Sequence, residues 1–156
     1  MRWLLNRLVN PVVRGILRSP LHRLLSRSLL LVTYQGRRTG RSFTTPVMYA
    51  ADGDGGVVIV PGWAERKRWW RNLRGAAPVR LLVRGQTVDG WGVVVTDHAE
   101  RVAALRAYLA RYPRAARQHG VHRADGDWDA GDLEAAADQT VVITVRPVRT
   151  WPTDLA

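Results

Sequence analysis

Leu30-Leu31-Val32-Thr33-Tyr34-Gln35-Gly36-Arg37-Arg38-Thr39-Gly40-Arg41-Ser42-Phe43-Thr44-Thr45-Pro46-Val47 is the stretch on which the fold turns. Ahead of it the apolar residues recur with a helical period, and from residue 28 onward the period is extended. Residues 29–34 read as a strand and 43–50 as its partner, both rich in β-branched and aromatic side chains. Between them, residues 36–41 form a turn bounded by glycines and loaded with three arginines.

Working downstream, Asp52-Gly53-Asp54-Gly55-Gly56 is a strong hairpin signal, followed by a buried strand at 57–61. Residues 65–74 are expected to be helical, with Trp69, Trp70 and Leu73 opposite Arg66, Lys67, Arg68, Arg71 and Arg74. Strands at 79–83 and 87–96 make a hairpin around Arg84-Gly85-Gln86. Asp97 and Glu100 form a capping box that opens a helix over 98–111, with Val102, Leu105, Tyr108 and Leu109 on its apolar face. Pro113 marks its end. Residues 113–137 have weak helical character, and 140–145 read as the last strand, ending at Pro147.

Working upstream, Leu4, Leu8, Val12 and Ile16 recur at every fourth position over 3–30, with Arg7, Arg14 and Arg18 on the other face. Pro11 and Pro20 divide that stretch into two or three short helices. Five or six strands joined mainly by hairpins, with helices at the start and late middle, describe a mainly β, α+β chain. The expected architecture is an antiparallel barrel with appended helices, not a doubly wound sheet. Residues 1–27 would be an N-terminal amphipathic segment and 28–150 the barrel domain.

A chain of 156 residues, 46% hydrophobic and with seven tryptophans, can pack one real core. Cysteine is absent, which excludes disulfides, thiolate metal sites and cysteine nucleophiles. His22, His98, His119 and His122 make no zinc-type pair, so no metal is expected. The net charge is +11 and Lys67 is the only lysine. That arginine excess reads either as compositional bias or as the mark of an anionic partner. No run approaches the ~18 apolar residues of a membrane span, and the early arginines leave no secretory h-region. A cytoplasmic protein is expected, with residues 1–27 as a segment that could lie on the inner face of the membrane.

The sequence contains no nucleophile elbow, Walker loop, dinucleotide fingerprint or paired-carboxylate signature. An enzyme without its own nucleophile lets a cofactor carry the reaction. Two elements suit an anion: the arginine turn, where glycines let backbone amides approach closely, and Pro61-Gly62-Trp63 with the basic stretch after it. Trp69 and Trp70 are adjacent and must point different ways, one to the core and one to a cleft. Nucleic acid ranks below a compact anionic cofactor as the partner.

These blocks resemble a known family. Residues 30–41 as quoted, then Thr44-Thr45-Pro46-Val47, Trp69-Trp70-Arg71-Asn72-Leu73 and Ala137-Asp138-Gln139-Thr140-Val141-Val142-Ile143, are similar to the deazaflavin-dependent nitroreductases and quinone reductases of actinobacteria. The resemblance implies a split β-barrel of the FMN-binding type, with coenzyme F420 in a surface groove. On that likeness, Arg37, Arg38 and Arg41 meet the phosphate and acidic tail, and Thr44, Thr45 and Pro46 run beside the ring. Pro61, Gly62, Trp63, Arg66 and Lys67 form the other wall, supported by Trp69 and Asn72. The implied reaction is hydride transfer to a small electron-poor acceptor such as a quinone, nitroaromatic or enone. Tyr112 is the candidate catalytic group to meet developing negative charge. It stands where relatives carry three tyrosines at three-residue spacing, and the later two positions here are Ala115 and Gln118. A non-catalytic carrier of a fatty acid or other flat ligand, or an FMN or haem protein, are the alternatives on the same barrel.

Overall fold

The computed structural model describes residues 28–149. The amphipathic reading of the first 27 residues, their membrane contact and the boundary drawn after them lie outside the described residues. Nine strands and two α-helices follow in order: β1 (Leu29–Gln35), β2 (Ser42–Met48), β3 (Ala50–Ala51), β4 (Val57–Ile59), β5 (Ala77–Val83), β6 (Gln86–Val94), α1 (His98–Arg111), β7 (Arg123–Ala124), β8 (Asp127–Trp128), α2 (Ala130–Gln139) and β9 (Ile143–Pro147).

Seven strands form one antiparallel sheet in the order β2-β1-β5-β6-β9-β4-β3. Its two ends are the two halves of one bent segment, because β2 and β3 are separated only by Tyr49. The sheet therefore closes on itself and is a split β-barrel, as the resemblance implied. β2 pairs with β1 in register Leu29↔Met48 to Gln35↔Ser42, while β3 pairs with β4 at Ala50↔Val58. The single partner strand expected at 43–50 is thus broken at Tyr49, where it leaves one neighbour for another.

Strand alternation sorts the apolar residues into two cores. Leu30, Val32, Tyr34, Val57, Ile59, Val79, Leu81, Ile143 and Val145 fill the barrel with Trp70 and Leu73. Val58, Val60 and Val142 point the other way, against Leu105, Tyr108 and Leu109 of α1 and Leu133, Ala136 and Ala137 of α2. The N-cap half of the expected capping box is formed, with the Asp97 carboxylate accepting the Glu100 N–H at 2.9 Å.

Three expectations change. The helix expected over 65–74 shrinks to a 3-10 turn, Trp69–Leu73. The Trp63 carbonyl takes the N–H groups of Arg66 and Lys67 in a separate tight turn. Like charges three and four apart (Lys67 and Arg71, Arg68 and Arg71, Arg71 and Arg74) disfavour a helix too short to stand alone. The weakly helical 113–137 resolves into a 3-10 turn at Pro113–His119, the β7–β8 hairpin and α2. The Asp129 carboxylate caps α2 on the Asp132 N–H, a start signal that the broad reading passed over. The last strand begins at Ile143, since α2 runs to Gln139 and the chain must turn first.

Candidate functional site

The barrel is split because one seam is only half sewn. From the Ala50↔Val58 pair, β2 runs back towards residue 42 while the chain after β4 runs forward through 60–69. These two stretches would be partners if the ladder continued, but among the described strands β2 pairs with β1 alone. Pro46 lies on this edge strand, where its missing N–H interrupts no ladder. A groove results, walled by β2 and by residues 60–69. At about 3.3 Å per residue the seven-residue wall is roughly 20 Å long.

One end of the groove is held shut by the arginine turn. Gly36 N–H donates to the Arg41 carbonyl at 2.8 Å, the Gly36 carbonyl accepts from Gly40 N–H at 2.8 Å, and Gly40 has φ 65°. Gly36 cannot carry a Cβ without meeting the Phe43 ring at 2.9 Å. The turn is tied to the opposite wall: Arg37 N–H donates to Asn72 Oδ1 at 3.0 Å, and Asn72 Nδ2 donates to the Trp69 carbonyl at 2.8 Å. The Arg37 guanidinium also donates to the Arg74 carbonyl. Asn72 is the clasp of this end.

The charge here is one-sided. Segments 36–41 and 61–74 carry eight Arg or Lys side chains against a single acid, Glu65. All eight are exposed, and the Glu65–Arg66 pair is loose at 3.8 Å between two exposed groups. Tyr34 stacks on Phe43 at 5.9 Å and touches Trp69 at 5.8 Å, which gives the cationic end an aromatic floor. Of the adjacent tryptophans, Trp70 is buried with its Nε1 donating to the Ala64 carbonyl at 2.9 Å, and Trp69 is half-buried. Trp70 takes the core place expected for one of the pair, and Trp69 packs against the barrel core and Tyr34.

The β2 residues do not act as a block. Thr45 and Val47 oppose Val32 and Leu30, on the barrel side. Thr44 and Pro46 oppose Thr33 and Leu31 on the other face, and the Thr33 and Thr44 hydroxyls lie 2.9 Å apart. Pro61 is buried, whereas Gly62, Trp63, Arg66 and Lys67 are exposed on the second wall.

At the other end of the groove stands Tyr112. It caps α1, its ring packs 4.9 Å from Tyr108, and Arg111 lies over it at 5.4 Å. Its hydroxyl is 2.6 Å from the Tyr49 carbonyl and 3.2 Å from that of Ser28. A phenol has one hydrogen, and the closer carbonyl takes it. In this structure the hydroxyl is engaged by the Tyr49 carbonyl, which ties the Tyr49 corner to the end of α1. Burial raises the pKa of Tyr112, Tyr49 and Tyr108, the last to about 12, and the Arg84 guanidinium partly opposes the rise at Tyr49.

Four residues of the site escaped the sequence reading as participants: Tyr34, Phe43, Arg71 and Arg74. Tyr34 and Phe43 were findable, since they sit directly opposite each other across the turn. Arg71 and Arg74 lie against the Trp70 ring, at 5.5 and 5.1 Å, an arrangement that a helical reading scatters. Among the described residues no cluster of three His, Asp or Glu side chains could hold a metal. No described helix is long and apolar enough to cross a membrane.

A family model described as F420H(2)-dependent quinone reductase matches residues 3–124. Among solved structures the chain is similar to an F420-H2 dependent reductase, FDR-A, at TM-score 0.55 and 18% identity over 77% of this chain and 95% of that one. A structure described as a domain-swapped dimer matches at TM-score 0.55 and 17% identity, covering 80% and 92%. A protein of unknown function from Agrobacterium tumefaciens matches at TM-score 0.54 and 15% identity, covering 88% and 59%. At these identities the structural likeness speaks for the fold. No curated protein matches the chain.

Proposed function

Because the chain belongs to the F420H2-dependent quinone reductase family, and is thus an oxidoreductase whose cofactor is coenzyme F420, we propose that it reduces a quinone-like acceptor in the groove between β2 and residues 60–69. The residues present suit that cofactor. An acidic tail calls for exposed guanidinium groups without competing carboxylates, and the clasped end offers eight cations against one acid. That one-sided charge beside an aromatic floor is the observation that carries the reading.

In this proposal Arg37, Arg38 and Arg41 hold the phosphate and acidic tail, with Arg66 and Lys67 closing from the second wall. Thr44, Thr45 and Pro46 border the ring, the first and third by the outer edge of β2 and Thr45 from the barrel side. Pro61 and Gly62 face them, while Trp69 and Asn72 keep the walls in register. When bound in its reduced form, F420 supplies a hydride to an electron-poor acceptor. The chain contributes orientation and shielding from water, since bringing two reactants together in the right geometry removes much of a bimolecular barrier. Tyr112 serves as a positioning residue that fixes the Tyr49 corner. A quinone, nitroaromatic or enone suits the acceptor place, and a cytoplasmic setting suits such a cofactor.

Titrating the purified protein with oxidised F420, followed by its fluorescence, tests this directly. Micromolar or tighter binding, with reduced F420 turning over menadione, is the expected result. An absence of F420 binding overturns the reading, and saturable binding of a fatty acid instead would make the barrel a carrier.

A further inference from the structure

Trp63 combines two features that seldom occur together. Its indole is 68% exposed, the highest value among the large hydrophobic side chains described. Its backbone has φ 54°, in the left-handed region that bulky residues avoid. An exposed hydrophobic residue alone is ordinary, and strain alone can belong to a tight turn. Here the turn that imposes the strain also fixes where the ring stands. The Trp63 carbonyl accepts from Arg66 and Lys67, both at 2.9 Å, and Pro61 behind it is buried. In front, Ala64 is tied by its carbonyl to the Trp70 indole at 2.9 Å. The chain is anchored on both sides of Trp63, and the side chain between the anchors is presented at the rim of the groove.

The ring is already used once as a π-face. Lys67 Nζ lies 5.3 Å from its centroid. Gly62 has open space where a Cβ would be, so the approach to Trp63 is uncrowded. An indole is electron-rich and stacks on flat, electron-poor rings. We propose that Trp63 is a specificity residue for the acceptor: it stacks on a flat electron-poor ring such as a naphthoquinone, and does not hold the cofactor. This deepens the proposed function and rests on it for the identity of the site.

Trp63→Gly is the decisive variant, because φ 54° suits glycine and the change removes the strain along with the ring. It should fold with an unchanged or higher Tm. Equilibrium dialysis of menadione against the cofactor-free protein should show saturable binding, weakened roughly tenfold in Trp63→Gly and largely restored in Trp63→Phe. With F420 added, KM for menadione should rise by a similar factor, while kcat and the F420 Kd stay within about twofold. Equal menadione affinity in wild type and Trp63→Gly overturns the proposal, as does a loss of F420 affinity as large as that for menadione. If the wild type binds no F420, the proposed function falls, yet the menadione dialysis still decides the role of Trp63.

Discussion

At one end of the β1–β2 hairpin, residues 36–41 put three exposed arginines into solvent; at the other, the Tyr49 carbonyl takes the proton of a half-buried phenol, Tyr112. The same two strands reach both ends. The arginine end is stitched to the second wall by the half-buried amide of Asn72 and by the Arg37 guanidinium on the Arg74 carbonyl, with no acid in 36–41 to offset its charges. The Tyr112 end ties the C-terminus of α1 to the Tyr49 corner through a backbone carbonyl, and the Arg84 guanidinium bonds the Tyr49 phenol. Uncompensated charge costs little in water and is valuable to an anion, whereas a buried carbonyl left without a donor is costly. The contrast therefore separates a region built to bind from one built to close the barrel, and each can be perturbed without the other.

The largest expected effect is on binding. Replacing Arg37 and Arg38 together by alanine removes charge-assisted contacts worth about 1.5–3 kcal/mol each. F420 affinity should fall by roughly 100-fold or more, with Tm nearly unchanged, as fluorescence titration and thermal melts would show. A large drop in Tm with intact affinity would reverse the assignment of this end. Tyr112→Phe should do the opposite, costing about 1–2 kcal/mol of stability and lowering Tm by roughly 5 °C while F420 affinity holds. If Tyr112→Phe instead abolished turnover in a protein of normal Tm, the phenol would belong to the chemistry after all.

Asn72→Ala falls between these two, because Asn72 belongs to both walls. Loss of the Arg37 N–H acceptor and of the tie to the Trp69 carbonyl should weaken F420 binding about fivefold and destabilise by about 1 kcal/mol. An effect on only one of the two quantities would show that the clasp serves one region alone.

Much of this contrast was legible from residue types. The strand-forming run at 29–34, the glycine-bounded arginines and the Asp97 cap each state a local rule that the structure obeys. What was not legible depends on distant partners. Nothing local to 43–50 says that the chain must leave β1 at Tyr49 and join β4, yet that switch opens the groove. The basic stretch 65–74 has helical spacing of its apolar residues, but its like charges and the grip of the Trp63 carbonyl decide against a helix. The partner of the Tyr112 hydroxyl was not legible in sequence because the Tyr49 carbonyl lies 63 residues away.

The finest test of the comparison is alkaline titration. All four tyrosines have pKa values raised by burial, and Tyr49, Tyr108 and Tyr112 cluster at the closing end. A phenol with a raised folded value adds stability that is whole below the unfolded value of about 10. That stability is lost as the pH climbs through the folded value, about 12 for Tyr108. Tyrosinate absorbance and loss of ellipticity should therefore rise together above pH 10, the buried phenols ionising only as the barrel opens. Tyr112→Phe weakens the corner and removes one ionising group, so its midpoint should move by only a few tenths of a pH unit, roughly the net of two opposed terms. Tyrosinate appearing near pH 10 with ellipticity intact would mean that water reaches the Tyr49 corner freely. In that case the two ends would differ in charge and no longer in closure.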